Sequence, residues 1–361
     1  MQSATIIDLS FRPLDVPLIE PFAIATGAQP LAQNVLVELR LADGTRGYGE
    51  AAPFPAVTGE TQTGTLAALE TLRPLLLGRA VWEWRALAAA LKQAAPHAAA
   101  ARCALEMALL DALTRQAQLP LWAFFGGAGA ELETDMTITA GSVDHAAASA
   151  RAIVARGIRT IKIKIGNDPA LDRERIAAIH AAAPQAPLLL DGNCGYDAEG
   201  ALALLDQLRA AAIPIALFEQ PVTRHDIAGL ARVAREGGVL VAADESVTTA
   251  ADALVVAQER AAQVVNLKLM KAGIVEGLAI AAICKAAGIG LMIGGMVETA
   301  LAMNCSAHFA AGLGGFSFVD LDTPMFMAEQ PFSGGWRQQG GRLSLAHISA
   351  GHGVVPAEPG G

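Results

Sequence analysis

From about Glu133 onward, short β-rich runs alternate with alanine-rich helical stretches. The runs are "TDMTITAG", "TIKIKIG", "PLLLDGN", "ALFEQP", "VLVAADES", "VVNLKLM", "GLMIGG" and "FSFVDLD". Strands separated by helices imply parallel pairing, and eight such units predict a closed TIM-like (β/α) barrel; an open doubly wound sheet is the alternative. Earlier in the chain, strands come first and helices follow. "NVLVELRLADGTRGYGE" reads as two strands joined at Asp43-Gly44, a pair that tolerates the positive φ angles of a tight hairpin. Leucines at three- and four-residue steps predict a helix over Ala98–Gln116. The expected organisation is an α+β unit over 1–125, a catalytic barrel over 126–325 and a C-terminal segment over 326–361 that packs back on the first unit. "LPLWAFFGGAGA" is expected to be an exit linker, and the region after Asp322 to be turn-rich with one short strand-like piece.

Within "TIKIKIG" the alternation of a strand puts Lys162 and Lys164 on one face and Ile161, Ile163 and Ile165 on the other. If helices cover the isoleucines, the lysines point into the barrel mouth; the bland alternative is a half-exposed strand with snorkelling lysines. The next strand ends carry Asp191 with Asn193, Glu219, Asp244 with Glu245, then Lys268, and last Asp320 with Asp322. Barrel enzymes place catalytic groups at these C-terminal ends. The steps from Asp191 to Glu219, Asp244 and Lys268 are 28, 25 and 24 residues, about one strand-helix unit each. Asp191, Glu219 and Asp244 are hard oxygen ligands without a neighbouring cysteine or histidine pair, which favours Mg²⁺ or Mn²⁺. Singly, each could be a helix N-cap or an ion-pair partner, but three gathered carboxylates repel unless a cation joins them. Asn193 and Glu245 are expected to orient these groups from behind, Glu245 towards Lys268. Lys268 should face Lys164 across the mouth, so that two amines approach one substrate carbon from opposite sides. A lysine serves as a base near neutral pH when its pKa is depressed, which Lys162 and the metal would do by like-charge repulsion. Lys162 is also expected to help hold a substrate carboxylate, and Lys271 to be solvated in the loop beyond.

Composition narrows the field. The chain has 361 residues, 53% of them hydrophobic, enough for a large core and a second, smaller unit. Its positive mean hydropathy comes largely from alanine, and proline, glycine or charge interrupts every apolar stretch before a bilayer is crossed. The start "MQSATIIDLS" has neither a basic nor an apolar export region, so a cytoplasmic location is expected. A net charge of −9 without a Lys/Arg cluster argues against nucleic acid. Four scattered cysteines fit reduced core thiols, with Cys194 read as packing, and His308 reads as a satisfied packing residue. "GGAGAE" lacks the preceding strand of a dinucleotide fingerprint.

The hairpin ending "GYGEAAP" together with "TIKIKIG", "DGN", "FEQP", "ADES", "NLKLMKAG", "IGGMVET" and "DLDTP" resembles the enolase superfamily, in its muconate-lactonising subgroup, and within that the dipeptide epimerases. The resemblance spans nearly the whole chain and implies that the N-terminal unit and the tail cap the barrel. It implies Mg²⁺ held by Asp191, Glu219 and Asp244 and polarising a substrate carboxylate, with Lys164 and Lys268 removing and returning an α-proton on opposite faces through an enediolate. It further implies that Thr137 and Met296 line the substrate pocket. In the epimerases a similarly placed Asp-x-Asp pair holds the α-ammonium of the dipeptide, the role this resemblance implies for Asp320 and Asp322; an Asx-type turn before Pro324 is the other reading. A cycloisomerase, an o-succinylbenzoate synthase or an N-acylamino acid racemase on the same fold is the alternative function. A lyase forming a Schiff base on Lys164 or Lys268 is a more distant one. Members acting on Ala-Glu often carry an arginine in the first capping loop, where "PFAIATGAQP" offers Ile24 and Thr26. A neutral or apolar dipeptide is therefore expected, with Phe22, Ile24, Thr26 and Phe54 as specificity contacts. Family members are often homo-oligomers.

Overall fold

The computed structural model describes residues 2–24, 27–166 and 168–357. Three antiparallel strands open the chain: β1 (Ile6–Ile24), β2 (Gly27–Leu41) and β3 (Arg46–Ala51). The β2–β3 turn forms at Asp43-Gly44 as expected, with Gly44 at φ 89° and the Asp43 carboxylate accepting the Thr45 N–H at 2.9 Å. Then come α1 (Pro55–Thr58), α2 (Gln62–Leu72), α3 (Trp84–Ala94), α4 (Ala99–Gln116) and α5 (Leu121–Phe124). The last of these lies in the stretch expected to be a linker; it packs on the barrel because Leu121 and Phe125 are buried, Phe125 edge-to-face with Phe309 at 5.1 Å. Helix α4 is buried on nearly every side, so its alanines and leucines face core in all directions. Its buried charges are satisfied locally: Glu106 accepts from Val275 N–H, and Asp111 from Tyr48 and His352 N–H. The strand β3 meets α4 backbone to backbone, and a Cβ at Gly49 would sit 2.0 Å from the Ala104 carbonyl oxygen.

After β4 (Glu131–Glu133) the alternating region runs β5 (Met136–Ile138), α6 (Val143–Ala155), β6 (Ile161–Lys164), α7 (Pro169–Ala182), β7 (Leu188–Asp191), α8 (Ala198–Ala210), β8 (Leu217–Glu219) and α9 (Ile227–Glu236). It continues with β9 (Leu240–Ala243), α10 (Ala250–Gln258), β10 (Val264–Lys268), α11 (Leu269–Ala272), α12 (Ile274–Ala287), β11 (Gly290–Gly294), α13 (Ala300–Leu313) and β12 (Phe316–Val319). All eight expected strands are present, and the sheet order follows the chain from β5 to β12 with every pair parallel. That order is a barrel's and not a doubly wound sheet's, whose order reverses at a switch point. Between β12 and β5 the ring is joined by Asp135 N–H to the Val319 carbonyl at 2.9 Å. Leu321 N–H to Thr134 Oγ1 at 2.9 Å and Thr137 N–H to Asp322 Oδ2 at 2.6 Å complete this seam.

The barrel lumen has its own apolar floor, Leu189, Leu217, Ala242, Val264 and Met292, separate from the core shared by helices and capping strands. The tail carries more strand than expected: β13 (Phe332–Gly334), β14 (Arg337–Gln339), β15 (Arg342–Ser344) and β16 (Val354–Pro356). β15 pairs with β14 and β4, while the tail's His352 donates to Asp111 and Arg115 donates back to the Val354 carbonyl. Among the described residues, no helix is long and apolar enough to cross a membrane.

Candidate active site

Period-two alternation turns Lys162 and Lys164, Asp191, Glu219, Asp244, Asn266 and Lys268, and Asp320 into the lumen just above the apolar floor. Lys162 lies 2.9 Å from Asp191 Oδ2, 2.8 Å from Glu219 Oε2 and 2.6 Å from Asp320 Oδ2, and is 1% exposed. Lys164 lies 2.7 Å from Asp191 Oδ2, and Lys268 lies 2.7 Å from Asp244 Oδ2. β6 and β10 stand four places apart in a ring of eight, so Lys164 and Lys268 face each other across the mouth.

None of the three carboxylates caps a helix. That work is done by Asp197, Asp226 and Thr249, which accept from Gly200, Gly229 and Asp252 N–H. Asp322 caps nothing either, since its carboxylate accepts the Thr137 N–H across the seam. An all-oxygen set suits a hard divalent ion. Two of its oxygens, Glu219 Oε2 and Asp244 Oδ2, are buried and lack a well-aligned hydrogen-bond donor although lysines stand beside them. Asp191, Glu219 and Asp244 therefore fit such an ion.

Charge coupling sets the protonation pattern. Burial pushes the Glu219 carboxyl up to about 8, helped by Asp191 and opposed by Lys162. For Asp244 burial acts the same way but Lys268 and Lys271 outweigh it, holding the carboxyl well below its ordinary value. Asp191 is likewise held down, by Lys162 and Lys164 against burial. Burial alone would lower Lys162 and Lys268, yet the carboxylates around them, led by Asp191 for the first and Asp244 for the second, raise both.

Lys271 corrects the sequence reading. It is buried, not solvated: α11 starts directly after β10, and its single turn brings the ammonium under Asp244. There it bonds Asp244 Oδ1, the Asp244 carbonyl at 2.5 Å and the Asn266 carbonyl at 3.3 Å. Behind the rim, Asn193 donates to Glu245 Oε1 at 3.2 Å and its N–H reaches Asp191 Oδ1 at 3.1 Å. Glu245 is tied to Asn193 by this bond, and burial pushes its carboxyl up to about 7. Two supports went unread in the sequence. Asn266 donates to Glu219 Oε1 at 2.7 Å, and Gln220 Oε1 accepts from Asp244 N–H at 2.8 Å and Ser246 N–H at 3.2 Å. Alternation with Lys268 was the available signal for Asn266. Asn193, Cys194 and Gln220 sit at φ 38°, 66° and 33°, left-handed conformations clustered beside Asp191 and Glu219.

Phe22, Phe54 and Val57 from the N-terminal unit close over a cavity lined by Thr137, Lys164, Asn193, Lys268, Gly295, Met296, Asp320, Asp322 and Thr323. The sequence-predicted Thr137, Met296, Phe22 and Phe54 thus converge with both lysines; Lys162 lies beneath, outside the lining. Lys164 Nζ stands 5.8 Å from the Phe22 ring centroid. Thr26 lies outside the described residues, as does the side chain of Ile24. Among the described residues, Asp135, Asp320 and Asp322 form the acidic trio whose oxygens close to within 4.8 Å of one another. Asp191, Glu219 and Asp244 are not drawn together to that distance; Lys162 stands between Asp191 and Glu219, and Lys268 beside Asp244. Asp135 also went unread, although it alternates with Thr137 on one face.

A barrel with this floor, this ring order and charged groups on successive strand ends defines the class. The family model described as enolase C-terminal domain-like matches residues 145–359, and that of the mandelate racemase / muconate lactonizing enzyme N-terminal domain matches residues 6–126. The chain belongs to this family, within the enolase superfamily. It is 61% identical over 351 residues to an aromatic dipeptide epimerase of Herpetosiphon aurantiacus, covering 97% of this chain and 98% of that one. It is 41% identical to a hydrophobic dipeptide epimerase of Citrifermentans bemidjiense, over 97% and 99% of the two chains. The solved dipeptide epimerase of Enterococcus faecalis, complexed with Mg and the dipeptide L-Leu-L-Tyr, superposes with a TM-score of 0.94 at 34% identity, covering 97% of this chain and 99% of that one.

Proposed function

We propose that this protein is a Mg²⁺-dependent dipeptide epimerase that inverts the α-carbon of the C-terminal residue. The observation that carries the reading is the placement of Lys164 and Lys268 on opposite sides of one cavity whose rim also holds Asp320 and Asp322. Asp191, Glu219 and Asp244 would hold Mg²⁺, which when bound would supply Lewis-acid chemistry at the substrate carboxylate and so acidify the α-carbon. One lysine takes the α-proton from one face and the other returns a proton to the opposite face, so the configuration inverts. Neutralising the carboxylates that raise Lys268 would bring that ammonium down towards a usable range. Lys162, already engaged by three carboxylates, spaces the ligand set from the Asp320 side. Asp320 and Asp322 receive the α-ammonium.

Phe22, Phe54, Val57 and Met296 give the cavity an apolar wall without a cation for an acidic side chain, which supports dipeptides with an aromatic or aliphatic C-terminal residue. The relatives named above act on aromatic and hydrophobic dipeptides. Free cysteines Cys103, Cys194, Cys284 and Cys305 support a reducing, cytoplasmic setting. The test is incubation of apolar L,L-dipeptides in D₂O with Mg²⁺. One deuterium should enter the C-terminal α-position and both epimers should appear, with epimerisation falling at least about a thousandfold in Lys164→Ala or Lys268→Ala. Turnover of an ammonium-free diacid with no dipeptide exchange would assign the cycloisomerase or synthase reaction instead.

A further inference from the structure

At the seam where β12 meets β5, Asp135 is 2% exposed and neither of its carboxyl oxygens has a hydrogen-bond partner. It faces two other carboxyls, Asp320 and Asp322, with oxygens of all three within 4.8 Å of one another. The neighbours of this trio are already committed. Asp320 Oδ2 takes Lys162 at 2.6 Å, and Asp322 Oδ2 takes the Thr137 N–H at 2.6 Å. Lys162 is itself shared with Asp191 and Glu219, so it cannot compensate three ionised carboxylates at the seam. Asp135 N–H is spent on the Val319 carbonyl, and Thr134 Oγ1 donates to the Asp135 backbone carbonyl, not to its side chain. No protein donor among the described residues is left for the Asp135 carboxyl.

Two buried carboxyls in contact attract only when a hydrogen lies between them. We propose that Asp135 is a positioning residue of the ammonium subsite: its carboxyl keeps its hydrogen and donates it to Asp320, aiming Asp320 into the substrate cavity. The inference rests on the reading of Asp320 and Asp322 as that subsite. Burial, then Asp320 and Asp322, push the Asp135 carboxyl well above its ordinary value. Asp320 shows the opposite bias, held low by Lys162 and Lys164 against burial, and so is the natural acceptor. The arrangement limits the negative charge buried at the seam while leaving Asp320 ionised for an incoming cation. Because Asp135 is not among the cavity-lining residues, it acts through Asp320 and not on the substrate.

The experiment compares Asp135→Ala, Asp135→Asn and Asp322→Asn in the Mg²⁺-loaded enzyme, using an apolar L,L-dipeptide that the wild type turns over. Asp135→Ala should raise KM about tenfold or more while kcat stays within about threefold, the loss expected for a hydrogen bond to a charged group. Asp135→Asn keeps the shape and a donor, and should restore KM to within about threefold of wild type. The infrared spectrum of the wild type at neutral pH should contain a C=O stretch of a protonated carboxyl that vanishes in Asp135→Asn. This comparison uses only the wild type and the isosteric variant, so it stands even if Asp135→Ala fails to fold. An unchanged KM in Asp135→Ala beside a raised KM in Asp322→Asn overturns the role of Asp135 and leaves the ammonium subsite intact. An unchanged KM in Asp322→Asn overturns the subsite and the role of Asp135 with it. Equal damage in Asp135→Asn and Asp135→Ala, or no infrared difference, overturns the donated hydrogen.

Discussion

Asp244 is gripped from two sides: Lys268 lies 2.7 Å from Oδ2 on the cavity side, and Lys271 bonds Oδ1 from beneath. Oδ2, which has Lys268 beside it but no well-aligned donor, is the oxygen Asp244 would turn towards a cation, and Lys271, by holding Oδ1, fixes that choice. In Lys271→Met the buried Oδ1 loses its charged donor, and Mg²⁺ affinity measured by calorimetry should weaken by about ten- to a hundredfold, as for other partners behind a metal ligand. At saturating Mg²⁺ kcat should recover most of its value, because Lys271 does not line the substrate cavity. A sequence reading placed this lysine in solvent since it stands beyond the strand and follows no period-two face. A single helical turn reverses that, and no local pattern announces it.

At Gly47 and Gly49 strand β3 of the capping sheet comes directly against the α4 backbone. At Gly49 a methyl group would lie 2.0 Å from the Ala104 carbonyl oxygen and 2.9 Å from its carbonyl carbon, both backbone atoms of a helix buried along its length. Neither can move without shifting the element. Gly49→Ala should therefore cost about 3 kcal/mol, seen as a lower denaturant midpoint at an unchanged slope. Elements were legible where their period was clean. The eight barrel strands and the helix ending at Gln116 stand where alternation and leucine spacing put them. The strand β1 was not, because Pro13, Pro17 and Pro21 interrupt it. Such prolines are tolerated here because β1 stands at the sheet edge, with β2 its only neighbouring strand in the sheet.

Across the whole molecule, His308 joins barrel, α5 and tail. Its Nδ1 accepts the Trp122 N–H at 2.9 Å, which leaves the hydrogen on Nε2 to reach the His352 carbonyl at 3.2 Å. His352 in turn contacts the Tyr48 carbonyl at 3.1 Å in the N-terminal unit. The ring is thus a satisfied packing residue in its neutral form. Burial, then His352, lower its pKa from 6.5 to about 3. Between those values the unfolded chain binds a proton that the folded protein refuses, so stability falls as pH drops from 6.5 towards 3. By pH 4 the loss from this group approaches about 3 kcal/mol. Plotting Tm against pH should give a flatter acid limb for His308→Gln than for wild type. Groups common to both proteins cancel in that difference.

Residue order alone determined the barrel, the charged strand ends and the facing of Lys164 and Lys268. All follow from two local facts, the period of a strand and the length of a strand-helix unit. The tertiary structure decided the pairings: Lys162 among three carboxylates, Lys271 beneath Asp244, and Asp135 against Asp320. Ring closure brings β5 beside β12, so Thr137 and Asp322 are bonded across 185 positions of chain. Partners that far apart share no sequence period, and burial then fixes their charge states through neighbours that only the closed ring supplies.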